Sequence, residues 1–264
     1  MSLFSGFLLS AVIAAMALWR NSLSPSGAVG ALVIGTLTFG FGGPRRGLLM
    51  VLFFVTSSAL SHFGKEQKRA ASEKFAKGSR RDLGQVMANG GIAALLATLS
   101  TFLPWPGWMP LYIGVLASVN ADTWATELGT LGKRPPWLIT TGQVVESGTS
   151  GGISPLGTLA SLMGGAIIGV TAGAFFAELS WVTGLLIGAI VGSLASSFDS
   201  LLGATVQGIY HGSHCHKTTE ASVHRCGRRT HLLSGWTWLN NDLVNLFAST
   251  AGGLAALALW LLLA

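Results

Sequence analysis

The sequence predicts an all-α, polytopic transmembrane helix bundle of about seven to eight spans with Gly-rich packing, and three observations carry that prediction. Half of the 264 residues are hydrophobic and only 10% are charged, too few polar residues for a soluble domain. The apolar residues fall in repeated runs near the ~20 residues that cross a bilayer. Glycine supplies 36 residues, about twice its usual ~7% share. In "LMGGAIIGVTAGAFF" small residues recur four apart, which lets helix backbones approach closely.

The runs follow one another as Leu3–Trp19, Ala28–Phe41, Gly47–Phe63, Gly90–Phe102, Leu111–Leu128, Leu156–Ala177, Trp181–Leu202 and Leu243–Leu263. The second and fourth are short for a span. The first lacks a charged leading region and a small-residue cleavage site, so it reads as a retained helix rather than a signal peptide. The whole chain, 1–264, then forms one membrane domain. Two polar segments interrupt it, a basic one at 64–88 and a His- and Cys-containing one at 203–240.

Seven Lys and Arg in "GKEQKRAASEKFAKGSRRDLGQVMANGG" place that segment in the cytoplasm by the positive-inside rule. Alternation then puts 130–155 and 203–240 on the same side, the latter with Lys217, Arg225, Arg228 and Arg229 in agreement. Arg45 and Arg46 disagree. The net charge of +6 thus reflects membrane orientation, and no base-reading motif suggests nucleic acid.

With that orientation the rare acids share one membrane side. Asp122 and Glu127 end the fifth run, Asp199 ends the seventh, and Asp242 begins the eighth. Carboxylates inside a membrane protein are costly and mark function. Drawn from several helices, they suit a Mg²⁺ ion serving a nucleotide phosphate, with Asp122 and Asp199 as its ligands. Asp122, Ala125 and Gly129 fall on one helix face, a smooth strip for a ligand, whereas Glu127 joins them only if the helix unwinds. Asp199, Gly203 and Gln207 repeat the spacing. Asn241 and Asn245 lie one turn apart beside Asp242, in a cluster suited to a helix N-terminus. Asp82, Gln85 and Asn89 form a polar stripe leading into the membrane.

The connection "ESGTSGGISPLGT" offers Gly148, Thr149, Ser150, Gly151, Gly152 and Ser154 at the start of a helix, where backbone N–H groups face an anion. It does not match the Walker pattern. Lys133 and Arg134 precede it as candidate phosphate contacts.

In order, "GSRRDLGQVMANGG", "ADTWATELGTLGK", "GTSGGISPLGT", "DSLLGATVQ" and "NNDLVN" resemble the DUF92-type integral membrane family of plant phytyl-phosphate kinase, over roughly Gly64 to Asn245. More distantly, Asp122 to Ser154 resembles CTP-dependent polyisoprenol kinases, and "DSLLG" resembles CDP-diacylglycerol synthases. The resemblance implies CTP, Mg²⁺ and a prenyl lipid phosphate. It implies that Asp122 and Asp199 form the metal and triphosphate site, that Glu127 and Asp242 support it, that the Gly148–Ser154 loop holds phosphates, and that Gln85 and Asn89 wall the pocket. Gly-Thr-Ser-Gly-Gly stands where polyisoprenol kinases carry Lys-Ser-x-Glu-Gly. Positive charge must therefore come from Lys133, Arg134, Arg80 or Arg81. Relatives also carry a short Cys and His cluster; here His214, Cys215, His224 and Cys226 could hold a structural Zn²⁺, against a plain polar loop.

The leading functional expectation is a prenyl-phosphate kinase with a cytoplasmic active face. It would transfer the terminal phosphoryl of CTP or another nucleoside triphosphate to phytyl or geranylgeranyl phosphate. The alternatives are a cytidylyltransferase that makes a CDP-lipid and a solute or lipid transporter.

Overall fold

The computed structural model describes residues 2–177, 179–214, 216–224 and 226–263. Caps and glycines set the chain reversals. Ser2 caps α1 (Leu3–Trp19) by accepting from the Ser5 amide. Ser24 caps α2 (Pro25–His62), with proline at the helix start, where its missing N–H costs nothing. At Gly43 φ is 77° and ψ is 179°, a conformation that glycine takes without strain, and Pro44 begins a new helical stretch.

The two arms of α2 fold back on each other. Gly47 lies against the Phe39 ring, and Gly90 touches both Ile34 and Met50. Arg81 reaches both ends of the hairpin: its carbonyl accepts from the Ser24 amide at 3.0 Å and its guanidinium donates to Ser58 Oγ at 2.8 Å. The second and third apolar runs are thus separate spans joined by a break at Gly43.

A short α3 (Arg69–Ser72) precedes α4 (Leu83–Phe102), whose start is a reciprocal capping box of Asp82 and Gln85. Then come α5 (Trp108–Gly129), α6 (Pro155–Phe175), α7 (Trp181–Leu186), a π-helical turn (Ile187–Val191), α8 (Gly192–Thr205) and α9 (Asn241–Leu263). Among the described residues five helical segments are long and apolar enough to cross a membrane: α2, α4, α6, the continuous α7–α8 stretch and α9.

Helix α5 is less apolar yet the most enclosed, with every residue from Tyr112 to Ala121 buried. Small residues let its neighbours approach. Gly114 meets Gly252 and Gly253 of α9, Gly164 of α6 lies under Ala121 and Trp124, and Gly192 of α8 rests on the Ala117 carbonyl. Gly165 and Gly169 of α6 cross Gly188 and Gly184 so closely that a Cβ on Gly165 would stand 2.1 Å from the Gly188 carbonyl oxygen. The π-helical turn carries Gly188 to that crossing.

One buried polar residue clamps three helices. Asn120 donates from Nδ2 to the Gly164 carbonyl at 2.7 Å, and its Oδ1 accepts from Thr56 and Ser57 at 3.1 and 3.2 Å.

Polar connections gather at one end of the bundle, as alternation predicts. Lys74 reaches Thr149, and Ser150 reaches Glu220. Strand β1 (Trp137–Leu138) pairs antiparallel with β2 (Gly152–Ile153) and closes the Gly-rich connection. Strand β3 (Ile209–Gly212) lies between β4 (Lys217–Thr219) and β5 (His231–Ser234) in an antiparallel sheet. At the opposite end Tyr112 Oη donates to the Arg46 carbonyl at 2.6 Å.

Replacing Asn120 with Leu removes the side-chain donor to the Gly164 carbonyl and the acceptor of the Ser57 hydroxyl, while Thr56 Oγ1 keeps the Phe53 carbonyl at 3.3 Å. The expected cost is about 1–2 kcal/mol, read as a lower melting temperature of the detergent-solubilised protein than for Leu116→Ile, a swap of buried apolar side chains on the same helix.

Candidate active site

A cavity of about 910 Å³ opens at the polar end, and Asp122, Asp199, Glu220, Asp242 and the Gly148–Gly152 loop all line it. Helix α5 delivers Asp122, and α8 presses against it so that Ser196 Oγ donates to Asp122 Oδ1 at 3.2 Å. Asp199 follows on the same helix, within electrostatic reach of both Asp122 and Glu220. Its Oδ2 is shielded from solvent and has no hydrogen-bond partner. Among the described residues no ion pair includes Asp122, Asp199 or Glu220; the pairs use Glu73, Asp82, Glu127, Glu146 and Asp242.

Glu127 goes elsewhere. Helix α5 stays regular to Gly129, so the unwinding that would bring Glu127 to Asp122 does not occur. Glu127 instead pairs with Lys68 at 2.6 Å and accepts from Ser61 Oγ. The strip at Ala125 and Gly129 has two roles: Gly157 of α6 lies against the Ala125 carbonyl and Gly129, and all three residues still line the cavity.

Asp242 is held by Lys77, which also pairs with Asp82 at 2.9 Å. Burial opposes the Lys77 charge, but hydrogen bonds and attraction from Asp242 and Asp82 outweigh it and raise the ammonium pKa above 10.5. For Asp82, burial is outweighed by the Gln85 and Gly84 amides and by Lys77, and the carboxyl moves below 3.8.

The Gly-rich loop owes its shape to two left-handed glycines, Gly148 at φ 81° and Gly151 at φ 78°. Gly148 sits on the Ala71 carbonyl and Gly151 on Ala204, so side chains there would lift the loop from its supports. Lys74 Nζ donates to Thr149 Oγ1 at 3.0 Å and pairs with Glu146 at 2.7 Å. Lysine 74 thus brings positive charge to this loop, a residue the sequence reading did not single out. Lys133 is exposed and does not line the cavity. Arg81 does border it, although its guanidinium is directed to Ser58 and the Phe54 ring.

The remaining predicted residues divide between architecture and cavity. Ser154 Oγ accepts from the Gly157 amide and caps α6. Gln85 Oε1 accepts from the Asp82 amide. Both also line the cavity, as do Asn89, Asn241 and Asn245. The cap of α9 is Asn240, whose Oδ1 accepts from the Leu243 amide.

Sequence reading missed Glu220. Its backbone amide donates to the Lys74 carbonyl, so the end of β4 is hooked over the basic segment. Its side chain enters the cavity and accepts from Ser150 Oγ at 2.6 Å and from the Ala76 amide at 3.4 Å. Burial raises its pKa, and these donors only partly offset the effect. The one sequence signal is rarity, since the chain has ten acids and "KTTEASVH" carries one of them.

In the His- and Cys-containing segment, His224 Nδ1 lies 3.1 Å from Cys226 Sγ, and the His211 ring packs on His231. His214 is exposed. Among the described residues no three His, Cys, Asp or Glu side chains are grouped to hold a metal ion. Cys215, a predicted zinc ligand, lies outside those residues, as do Arg225 and Glu178.

Residues 8–253 match the family described as "Integral membrane protein DUF92". Protein PGR of Arabidopsis thaliana is 35% identical over 225 residues, covering 76% of this chain and 77% of its own. An uncharacterised membrane protein of Methanocaldococcus jannaschii is 35% identical over 215 residues, covering 80% and 87%. Protein VTE6, chloroplastic, of Arabidopsis thaliana is 25% identical over 242 residues, covering 90% and 65%. No solved structure matches.

Lys77→Met should lower the melting temperature by about 1–4 °C, the range for a half-exposed ion pair in a chain of this size. The contribution of the raised Lys77 is complete below 10.5 and is lost as pH rises through its folded value; that of the lowered Asp82 is complete above 3.8 and is lost as pH falls. The difference between wild type and variant should therefore be flat between these limits and shrink beyond them, as thermal melts across pH will show.

Proposed function

The chain belongs to the DUF92 family of integral membrane proteins, and from that premise we propose that it is a prenyl-phosphate kinase. One observation carries the reading: two half-buried carboxylates from different helices, Asp122 and Asp199, lie within electrostatic reach of each other, take part in no ion pair among the described residues, and line the same cavity as a Gly-rich loop. An oxygen-only donor set with a buried, unpartnered Asp199 Oδ2 fits Mg²⁺, which takes one or two carboxylates and completes its shell with water and phosphate. When bound, that ion supplies charge neutralisation for the transferring phosphoryl.

A phosphate oxygen of the lipid monophosphate attacks the γ-phosphorus of CTP or another nucleoside triphosphate. The bond from that phosphorus to the β-phosphate oxygen breaks, and a nucleoside diphosphate leaves. Because the lipid phosphate is already ionised, the chain must position and neutralise rather than remove a proton. The loop from Gly148 to Gly152 would bind phosphate through backbone amides and hydroxyls, Lys74 would steady it from behind, and Asn89, Asn241 and Asn245 would orient the nucleotide.

The cavity's position at one end of the bundle supports a lipid phosphate in the adjoining leaflet over a transported solute, whose site usually lies near the bilayer midplane. Lys65, Lys68, Arg69, Lys74 and Lys77 crowd that end, which favours a cytoplasmic active face.

Purified protein incubated with γ-labelled CTP, Mg²⁺ and geranylgeranyl phosphate should give CDP and labelled prenyl diphosphate. Release of pyrophosphate with a CDP-lipid would replace the kinase reading with cytidylyl transfer, and no product with any nucleoside triphosphate would sink both. Asp122→Asn should cut turnover about 10²–10³-fold in a protein that still elutes as a folded species.

A further inference from the structure

The cavity has a cationic wall as well as an acidic one, and the proposed nucleotide site leaves one cation there unused. Arg81 borders the cavity yet is only 8% exposed. A guanidinium stays charged at every ordinary pH, and a charge taken out of water is costly unless an anion accompanies it. Among the described residues no ion pair includes Arg81. The acid whose attraction it feels is Glu127, and Glu127 is already engaged by Lys68 at 2.6 Å and by the Ser61 hydroxyl.

The hydrogen bonds point the same way. Of the five N–H groups in a guanidinium, Arg81 uses one, from Nη1 to Ser58 Oγ at 2.8 Å, while the Phe54 ring lies 5.8 Å from the group. Its other nitrogens are not sealed inside protein, so they open on the cavity that the residue lines. Both backbone groups are paired, with Ser22 and Ser24 at 3.0 Å. The position of Arg81 therefore does not depend on its side chain. Just inside α4, Gln85 lines the same cavity with its Oε1 occupied by the Asp82 amide. Its NH₂ end makes no hydrogen bond among the described residues, and it adds a neutral donor beside the cationic fork.

We propose that Arg81, with Gln85 beside it, binds the phosphate of the acceptor lipid monophosphate, in a subsite separate from the Gly-rich loop. A planar fork of donors matches the oxygens of a phosphate monoester. The loop has its own cation in Lys74, whereas the acceptor phosphate otherwise meets none. A lipid fits this place better than a second nucleotide phosphate, because Arg81 sits where the spanning helices α2 and α4 meet at the polar end. Phe54 lies one turn below Ser58, and Leu83 and Met87 are exposed on α4, so a headgroup held here has apolar surface close by. During transfer the guanidinium keeps its protons and holds the non-attacking oxygens. The attacking oxygen forms its bond to the γ-phosphorus as the β-phosphate oxygen leaves, and the fixed positive charge offsets repulsion between the two phosphates. The role as acceptor site rests on the kinase reading, but phosphate binding at Arg81 does not.

The full-length protein in detergent, without nucleotide or Mg²⁺, is titrated with geranyl phosphate, geraniol and inorganic phosphate and followed by calorimetry. Wild type should bind geranyl phosphate about tenfold or more tighter than geraniol, and tighter than inorganic phosphate. Arg81→Met should lose about 10–100-fold in affinity for geranyl phosphate and nothing for geraniol. Arg81→Lys keeps the charge without the fork and should fall between. A purely structural Arg81 would move the melting temperature without separating phosphate from alcohol. Equal wild-type affinity for geranyl phosphate and geraniol, or undiminished affinity in Arg81→Met, overturns the proposal; inorganic phosphate binding as tightly as geranyl phosphate overturns its assignment to a lipid. Should Arg81→Met not fold, Arg81→Lys and the wild-type comparison decide. In the turnover assay Arg81→Lys should raise KM for geranylgeranyl phosphate and leave KM for CTP unchanged. Selective binding without turnover would sink the kinase reading only; turnover with KM raised for CTP alone would sink the Arg81 subsite only.

Discussion

Close backbone approach around α5 is the constraint on which the other features depend. A helix with Asp122 near its end and Asn120 in its middle is a poor lipid-facing span, because each exposed polar group in hydrocarbon costs several kcal/mol. The chain avoids that cost by surrounding α5 with helices whose contact positions are Gly114, Gly164, Gly192, Gly252 and Gly253. Small residues bring α6, α8 and α9 near enough for Asn120 to reach the Gly164 carbonyl and for Ser196 to reach Asp122. Close packing and polar chemistry therefore require each other here.

The same principle extends to the polar end, where three segments distant in sequence share partners. Lys74 serves the Gly-rich loop through Thr149, while its carbonyl receives the amide of Glu220. Glu220 in turn receives the Ser150 hydroxyl. The basic segment, the loop and the small sheet thus close a ring of contacts over the carboxylates.

Much of this was legible in the sequence, and the division has a physical basis. Apolar runs report burial in lipid regardless of partners, so the spans emerged from pattern alone, and Gly43 with Pro44 broke the run between the second and third. Asp122 and Asp199 were legible because a charge within an apolar run is conspicuous. Glu127 looked equivalent by that criterion, yet its direction depends on helix phase and on Lys68, a partner 59 residues away. Glu220 was hidden for the opposite reason. It lies in a polar segment where acids are ordinary, and it reaches the cavity only through the pairing of β4 with β3. Lys74 was one of seven basic residues, and nothing local distinguishes it from the others.

The hairpin at Gly43 bears on how the chain enters its membrane. Lys and Arg in short loops near the span ends favour retention on the cytoplasmic side, yet Arg45 and Arg46 lie at the end opposite the other basic residues. There is no loop there to hold back. The turn is a single glycine between two apolar arms that pack on each other, so both arms can partition into the bilayer as one unit. The arginines emerge at the far surface with the tip, where the Arg46 carbonyl is received by Tyr112 and its guanidinium lies by the Gly42 carbonyl. The exception to charge asymmetry thus sits at the tip of a pair of packed helices rather than in a hydrated loop.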